Sequence, residues 1–575
     1  MKTTSATDTR TPDARERITV LGPARGRARP TAPLLADWAL PYVKGTPGRR
    51  WADRIRDDHT WEAFVERILN DDPVSIVEPT ARLSLRDYQA PRVKEIVSAF
   101  HRGLPGYHLN YVTGSGKTAI VAEAVRRIFA DAQTPKKALV IAPVSALGVW
   151  RSELSIHGTG NIEWITINAQ SLPKLFTVDG ISPTDLRSSP DRFQLVSEFG
   201  TPRVSDFDIV ITDESHTIVN RDSASHEMWR RLIGWRDDGS QPATFTIGTS
   251  ATSFTDPAEL APVAHLIAYS RSVPTPDRDT VADDLAGWVS DTLGITAPER
   301  FDATGFDAEV SAVSQAVADS IFDGHLGFSA TAEDLGLAVQ PRELEAIGLT
   351  AEELGDFDDS LSAVSIDDLD DLDESADENP LTRAQKKILA ASHLKIDPVS
   401  ECIADLVDRG HQVIIPCLFI SVAESYADAM RHHGIPASTL TGAMTPGERD
   451  GQVRRFQSGK TQVIATTVHQ SISLHARQAG AGVNGQDATS APRVTVFGDI
   501  ITGGKRTYQA EGRGTRDGQV ARAVYPYVPN SIEADWLHRV FMRLVSTRSL
   551  SGGRFSAADI TSFTHLADTI ERKDR

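Results

Sequence analysis

The chain has 575 residues, 40% of them hydrophobic, which is more than one core can hold, since single cores stop growing near roughly 250–300 residues. Its two cysteines, Cys402 and Cys417, exclude a disulfide framework and point to a reducing compartment. No run approaches the roughly 20 apolar residues of a membrane helix, and the polar start at Met1–Arg17 lacks the apolar stretch of a signal peptide. The expectation is a protein without a membrane segment, in the cytoplasm of a bacterium or a phage-infected host. The net charge of −18 does not exclude a nucleic-acid partner. Residues Glu352–Glu378 hold 13 acidic side chains and no Lys or Arg, so the remainder stands at −5 and can still carry a local basic groove.

Residues 1–30 are rich in Thr, Pro and Arg and read as a disordered tail. Residues 34–83 carry Trp38, Trp51, Trp61 and Phe64, enough to anchor a small accessory segment, so 1–83 are taken together. From about 84 the pattern alternates between strand and helix. Ala138–Ala142, Ile209–Thr212 and Thr244–Ile247 are short apolar runs flanked by polar or turn residues, as buried parallel strands require. Ile120, Val121, Ala124, Val125 and Ile128 recur at helical spacing. An α/β lobe over 84–270 follows.

Residues 271–394 show no clear strands and read as an acidic insertion linking two lobes. A second α/β lobe is expected over 395–545. Val413–Phe419 reads as a strand, Ser421 with Glu424 as a capping box, and Gly434 with Pro436 as the stop of that helix. Thr445, Pro446 and Glu448 signal the next helix, and Gly459 closes it before the strand Gln462–Thr466. Val494–Phe497 and Ala523–Val528 supply further strands, and 546–575 read as a polar tail.

The strongest chemical signal is Thr113-Gly114-Ser115-Gly116-Lys117-Thr118, between the candidate strand His108–Val112 and a helix. Such a turn lets backbone N–H groups converge on phosphate oxygens at a helix N-terminus. Lys117 would add a point charge to the β- and γ-phosphates of ATP, and Thr118 a hydroxyl to Mg²⁺. The first glycine usual in such loops is replaced by Tyr111. Asp213 and Glu214 follow the apolar run Ile209–Thr212, 96 residues after Lys117. Asp213 would hold Mg²⁺ at a strand end, and Glu214 would orient and deprotonate the attacking water. Arg513 and Arg516 are three apart, so they share a face if helical, and each offers a planar fork to a phosphate carrying transition-state charge.

In this order the motifs resemble those of the superfamily 2 helicases. Leu85-Arg86-Asp87-Tyr88-Gln89 resembles the family's adenine-reading segment, which gives that role to Gln89. Ala142-Pro143-Val144-Ser145, with Trp150 nearby, resembles a motif that contacts the nucleic-acid backbone. Ser250-Ala251-Thr252 matches the coupling motif, Thr441-Gly442 a second-lobe segment on the tracking strand, and Gln509 through Arg516 the last motif, with Gln509 beside the nucleotide. Asp213–Asn220, Gly410–Ile414 and Gln509–Gln519 are most similar to the Swi/Snf-type double-stranded DNA translocases. Two departures stand out: the phosphate loop lacks those translocases' acidic opening, and Thr466–Leu474 lacks their usual glycines.

The resemblance implies two RecA-like lobes with parallel sheets, plus the N-terminal segment and the acidic inter-lobe insertion. It implies ATP hydrolysis with Mg²⁺, stimulated by nucleic acid and driving movement along double-stranded DNA. An RNA helicase, or a non-motor ATP switch acting through the acidic insertion, stands as the alternative. No zinc-ligand spacing, nuclease cluster or nucleophile elbow is present in the sequence, so any nuclease or other activity would have to come from a protein partner.

Overall fold

The computed structural model describes residues 18–20, 85–111, 114–143, 146–157, 160–178, 195–196, 200–202, 207–214, 224–250, 257–296, 313, 315–323, 325–331, 334–335, 340–362, 364, 383–467, 474–475, 489–500, 504–515, 520–550 and 557–573. Most of the accessory segment, the acidic run from 365 to 378, and Thr113, Ala251, Thr252 and Arg516 lie outside the described residues. The fold is α/β and contains two parallel-stranded sheets, the arrangement of two RecA-like lobes. None of its described helices is long and apolar enough to cross a membrane.

The first sheet has seven strands: β1 (Ile18–Val20), β2 (Gly106–Tyr111), β3 (Lys136–Ile141), β4 (Ile162–Ile167), β5 (Ile209–Asp213), β6 (Phe245–Ser250) and β7 (Gly327–Ala330). Their order across the sheet is β1-β4-β3-β5-β6-β2-β7. The pairs β1–β4, β3–β4, β3–β5 and β2–β7 are parallel. The N–H of Thr246 donates to the Pro105 carbonyl, so β6 and β2 start at the same edge and run together. All of β2 and β5 is buried, which is why β5 reads as a continuous apolar run rather than an alternating one, while β2 buries His108 and Asn110 along with its apolar residues. Helix α1 (Gln89–His101) buries Val93, Ile96 and Ala99, and α2 (Lys117–Ile128) buries Ile120, Val121, Ala124, Val125 and Ile128, the stripe its spacing predicts. Helix α3 (Leu147–His157) packs against β4.

The second sheet has six strands: β8 (Arg342–Ala346), β9 (Gln412–Cys417), β10 (Ala437–Leu440), β11 (Val463–Thr467), β12 (Arg493–Val496) and β13 (Arg522–Tyr527). Their order is β8-β13-β12-β9-β11-β10, parallel at every pair. Helices α4 (Ala351–Leu361), α5 (Ile396–Asp408), α6 (Ile420–His432), α7 (Pro446–Gln457), α8 (Gly504–Glu511), α9 (Ile532–Leu550) and α10 (Ala557–Lys573) belong to this part of the chain. The expected start of α7 is borne out: Thr445 and Glu448 form a reciprocal capping box with Pro446 in the first turn. Gly434 and Gly459, at φ 75° and 74°, close α6 and α7 as expected.

Four expectations are corrected. Ile18–Val20, expected within a disordered tail, form β1 by parallel pairing with β4. Residues 271–394 do contain strands, since β7 and β8 complete one edge of each sheet. The region after 546 continues helix α9, and α10 then buries Phe563, Leu566, Ala567 and Ile570 with Tyr525, Tyr527 and Phe541. Ser421 caps nothing, because α6 starts at Ile420 with Phe419 at the N-cap position and no side-chain cap. The amide of Leu418 just upstream is satisfied from a distance by the Asp499 carboxylate at 2.6 Å.

Candidate functional site

The strand order places the ends of β5, β6 and β2 next to one another, and in parallel sheets ligands gather beyond the carboxyl ends of strands. After β2 the chain turns through Gly114 and Gly116, at φ 80° and 79°, a backbone region that residues with a Cβ rarely enter. Ser115 is buried between them, and α2 begins at Lys117, so a helix N-terminus faces the turn. The Lys117 ammonium donates to the Tyr111 carbonyl at 2.9 Å. Tyr111, standing where a glycine is usual, is fully buried and meets Phe328 of β7 edge to face. Its ring therefore anchors the strand while its carbonyl holds the lysine. Thr118, in the first turn of α2, is half-buried.

Gly327 of β7 is forced by close approach. A Cβ there would lie 2.5 Å from the His108 carbonyl. His108 itself is buried, and that burial lowers its imidazole pKa to about 4.

Asp213 ends β5 and is buried. Its Oδ2 accepts the indole N–H of Trp150 at 2.7 Å. The Trp150 ring is buried in α3 and orients the carboxylate. Glu214 follows at φ 50°, a left-handed conformation strained for a residue with a Cβ. The Ser250 hydroxyl at the end of β6 donates to Glu214 Oε2 at 3.3 Å. Gln89, at the start of α1, is buried, and its Oε1 accepts the Arg86 N–H at 2.9 Å.

The donor set suits a hard divalent cation. A carboxylate and a hydroxyl are the oxygen ligands Mg²⁺ takes alongside waters and phosphate. Among the described residues no group of three or more His, Cys, Asp or Glu side chains forms a metal cage.

On the second sheet, Gly512–Gly514 forms a 3₁₀ turn directly after α8. Arg513 is only 5% exposed. Its Nη1 makes two long hydrogen bonds of 3.4 Å, to the Thr466 hydroxyl and the Thr467 carbonyl at the carboxyl end of β11. Burial lowers its pKa to about 10, so it stays charged at neutral pH. Its carbonyl accepts the Leu474 N–H at 2.7 Å. The helical relation expected between Arg513 and Arg516 does not hold, because Thr515 is already extended at φ −104°, ψ 122°. Gln509 lies within α8.

Sequence reasoning missed a second tier around this turn. Glu511, fully buried, receives a two-pronged bond from Arg342 of β8, Nε to Oε1 and Nη2 to Oε2, both at 2.8 Å. The Tyr525 hydroxyl also donates to Oε1, and Gln340 Nε2 donates to the Glu511 carbonyl at 3.0 Å. Nearby, buried Arg493 donates to the carbonyls of Leu474, His475 and Ala491 and lies over the Phe456 ring at 5.1 Å.

Two family models match the chain. Residues 82–255 match the type III restriction enzyme, res subunit model, and residues 395–518 match the helicase conserved C-terminal domain model. A putative ATP-dependent DNA helicase Q1 of Caenorhabditis elegans is 31% identical over 134 residues, 23% of this chain and 19% of that protein. The match thus spans under a fifth of that relative's own length. Among solved structures, the Sulfolobus solfataricus SWI2/SNF2 ATPase core in complex with dsDNA is similar at 15% identity and a TM-score of 0.30, covering 86% of this chain and 97% of that one. S. cerevisiae Dbp5 bound to RNA and ADP BeF3 is similar at 11% identity and a TM-score of 0.41, covering 86% and 98%. The Pyrococcus furiosus Hef helicase domain is similar at 14% identity and a TM-score of 0.35, covering 79% and 99%.

Proposed function

Taking as premise that the chain belongs to the superfamily 2 helicases, and so to a family of nucleic-acid-dependent ATP hydrolases, we propose that it is a DNA translocase or helicase driven by ATP·Mg²⁺. The observation that carries the reading is the carboxyl edge of the first sheet. There the positive-φ glycine turn and Lys117 follow β2, and the Asp213–Glu214 pair follows β5, with β6 between the two strands.

The adenine would lie by Gln89, and the phosphates would be cradled by Thr113 through Thr118. Lys117 would exchange the Tyr111 carbonyl for phosphate oxygens. Thr118 and Asp213 would hold Mg²⁺, which would neutralise charge developing on the phosphates. Glu214, its carboxylate steadied by Ser250, would take the proton of the attacking water. Arg513, with Arg516, would meet the charge on the γ-phosphate, a contribution worth about 10³–10⁵ in rate in phosphoryl-transfer systems. Because those arginines come from the second sheet and the phosphate turn from the first, cleavage would depend on lobe closure. Tracking by phosphate contacts implies weak sequence preference and strong salt dependence.

The likeness of Gln509–Gln519 to the Swi/Snf-type translocases favours double-stranded DNA as the track. The test is ATP turnover without nucleic acid and with single- and double-stranded DNA and RNA, followed by triplex displacement. Stimulation greatest with duplex DNA, displacement of the third strand, and loss of turnover in Lys117→Ala are expected. Greater stimulation by duplex RNA would replace DNA with RNA as the track. Nucleotide binding without turnover would make the protein a switch instead of a motor.

A further inference from the structure

Arg342 lies on β8, outside every motif of the phosphate chemistry. Its guanidinium is nevertheless almost fully buried, against a carboxylate that is fully buried. The two hydrogen bonds of 2.8 Å form a fork-to-fork pair, the most directional arrangement an arginine makes with a carboxylate. The guanidinium also lies over the Phe563 ring, 4.1 Å from its centroid, so α10 supports it from behind. Glu511 is the last residue of α8, and Arg513 stands two residues further on, in the following turn. Gln340 binds the Glu511 carbonyl at the same point.

A buried ion pair is a poor source of net stability, because desolvation cancels most of the attraction. What such a pair supplies is fixed geometry. Arg513 Nη1 reaches the Thr466 hydroxyl and the Thr467 carbonyl at 3.4 Å, and its direction also depends on the backbone on either side. On one side that backbone is tied through Leu474, and on the other it is tied through Glu511.

We propose that Arg342 is a positioning residue: by clamping Glu511 it fixes the turn that aims Arg513 at the transferred phosphate. The inference rests on the reading of Arg513 given above. The segment joining the two sheets thereby becomes a working part of the ATPase and not only a connector.

The test compares Arg342→Lys, Arg513→Ala and the double variant, each with its melting temperature, kcat and KM for ATP. Arg342→Lys keeps the charge and loses the fork. It should lower kcat about 10- to 100-fold, the usual cost of a displacement near 1 Å at a reacting group, with KM for ATP within about threefold, since the arginine acts on the transition state. The double variant should be no slower than Arg513→Ala alone. Multiplying losses in the double variant, or an Arg342→Lys enzyme at wild-type kcat, would overturn the proposal while leaving the Arg513 reading intact. An Arg513→Ala enzyme at wild-type kcat would sink that reading, and the proposal with it. Should Arg342→Lys not fold, the paired variant Arg342→Gln with Glu511→Gln removes both buried charges together. It should fold and remain slow, and a fast folded form would equally overturn the idea.

Discussion

Trp150 and Asp213 are 63 positions apart in sequence, yet the indole N–H of one points at a carboxylate oxygen of the other at 2.7 Å. Both are buried. The carboxylate proposed to hold Mg²⁺ is thus aimed by a ring from a helix packed on the same sheet. Outer partners of this kind set the orientation of a metal ligand.

Replacing Trp150 by Phe removes that donor and, because the indole is fully buried, also leaves a small cavity. A buried acceptor left without its partner costs about 1–3 kcal/mol. The variant should melt lower and need several-fold more Mg²⁺ for half-maximal ATP turnover. An unchanged Mg²⁺ titration would show that the indole bond serves packing alone.

Glu214 sits at φ 50°, where a Cβ is strained by about 1–2 kcal/mol and glycine is not. Glu214→Gly should therefore melt no lower than the parent chain. Its turnover should nonetheless fall about 10²- to 10⁴-fold, the usual contribution of a general base. Calorimetry and a steady-state assay on one preparation separate the two effects. A fall in melting temperature would contradict the strain argument.

Gly514 has no room for a methyl group: a Cβ there would lie 2.5 Å from that of Ala521 and 3.3 Å from that of Arg493. Gly514→Ala should cost about 1–3 kcal/mol by overpacking and slow turnover, because the shift occurs beside Arg513. Gly447→Ala is the control. That glycine is exposed in the first turn of α7 with nothing within 4 Å of its Cβ position, and alanine should add about 0.4–1 kcal/mol. Denaturant midpoints for the two variants should therefore move in opposite directions.

Burial holds the His108 imidazole near pKa 4, against an ordinary 6.5. Between those values the unfolded chain binds a proton that the folded chain refuses. Stability is therefore unaffected above pH 6.5 and falls as pH drops from 6.5 toward 4, by up to about 3 kcal/mol from this one group. His108→Leu should flatten that part of the stability–pH curve. Parallel curves for parent and variant across this window would contradict the assignment.

The local chemistry was legible where a short stretch of chain decides the geometry. The glycine turn before α2, the acidic pair at the end of β5 and the Thr445–Glu448 cap all depend on neighbours a few residues away. What escaped was decided at long range. Strand β8 has the sequence Arg-Glu-Leu-Glu-Ala, which carries no strand signal, and becomes a strand only by pairing with β13. The cap expected at Ser421 failed because α6 begins one residue earlier, at Ile420, with Phe419 at its N-cap position. By contrast, the helix after 556 did leave a readable trace: Phe563, Leu566, Ala567 and Ile570 are spaced as one helical stripe. The polarity of the surrounding residues hid it.

The strand carrying Arg342 pairs with β13, much later in the chain, with Arg342 itself opposite Ala523. During synthesis the glycine turn before α2 leaves the ribosome long before Tyr525 does, whereas Glu511 must wait for Tyr525. If the arginine turn works as proposed, a nascent chain acquires the means to hold a nucleotide well before the means to split it. A fragment cut to the matched stretch 395–518 would contain Arg513 but neither strand that steadies its neighbour.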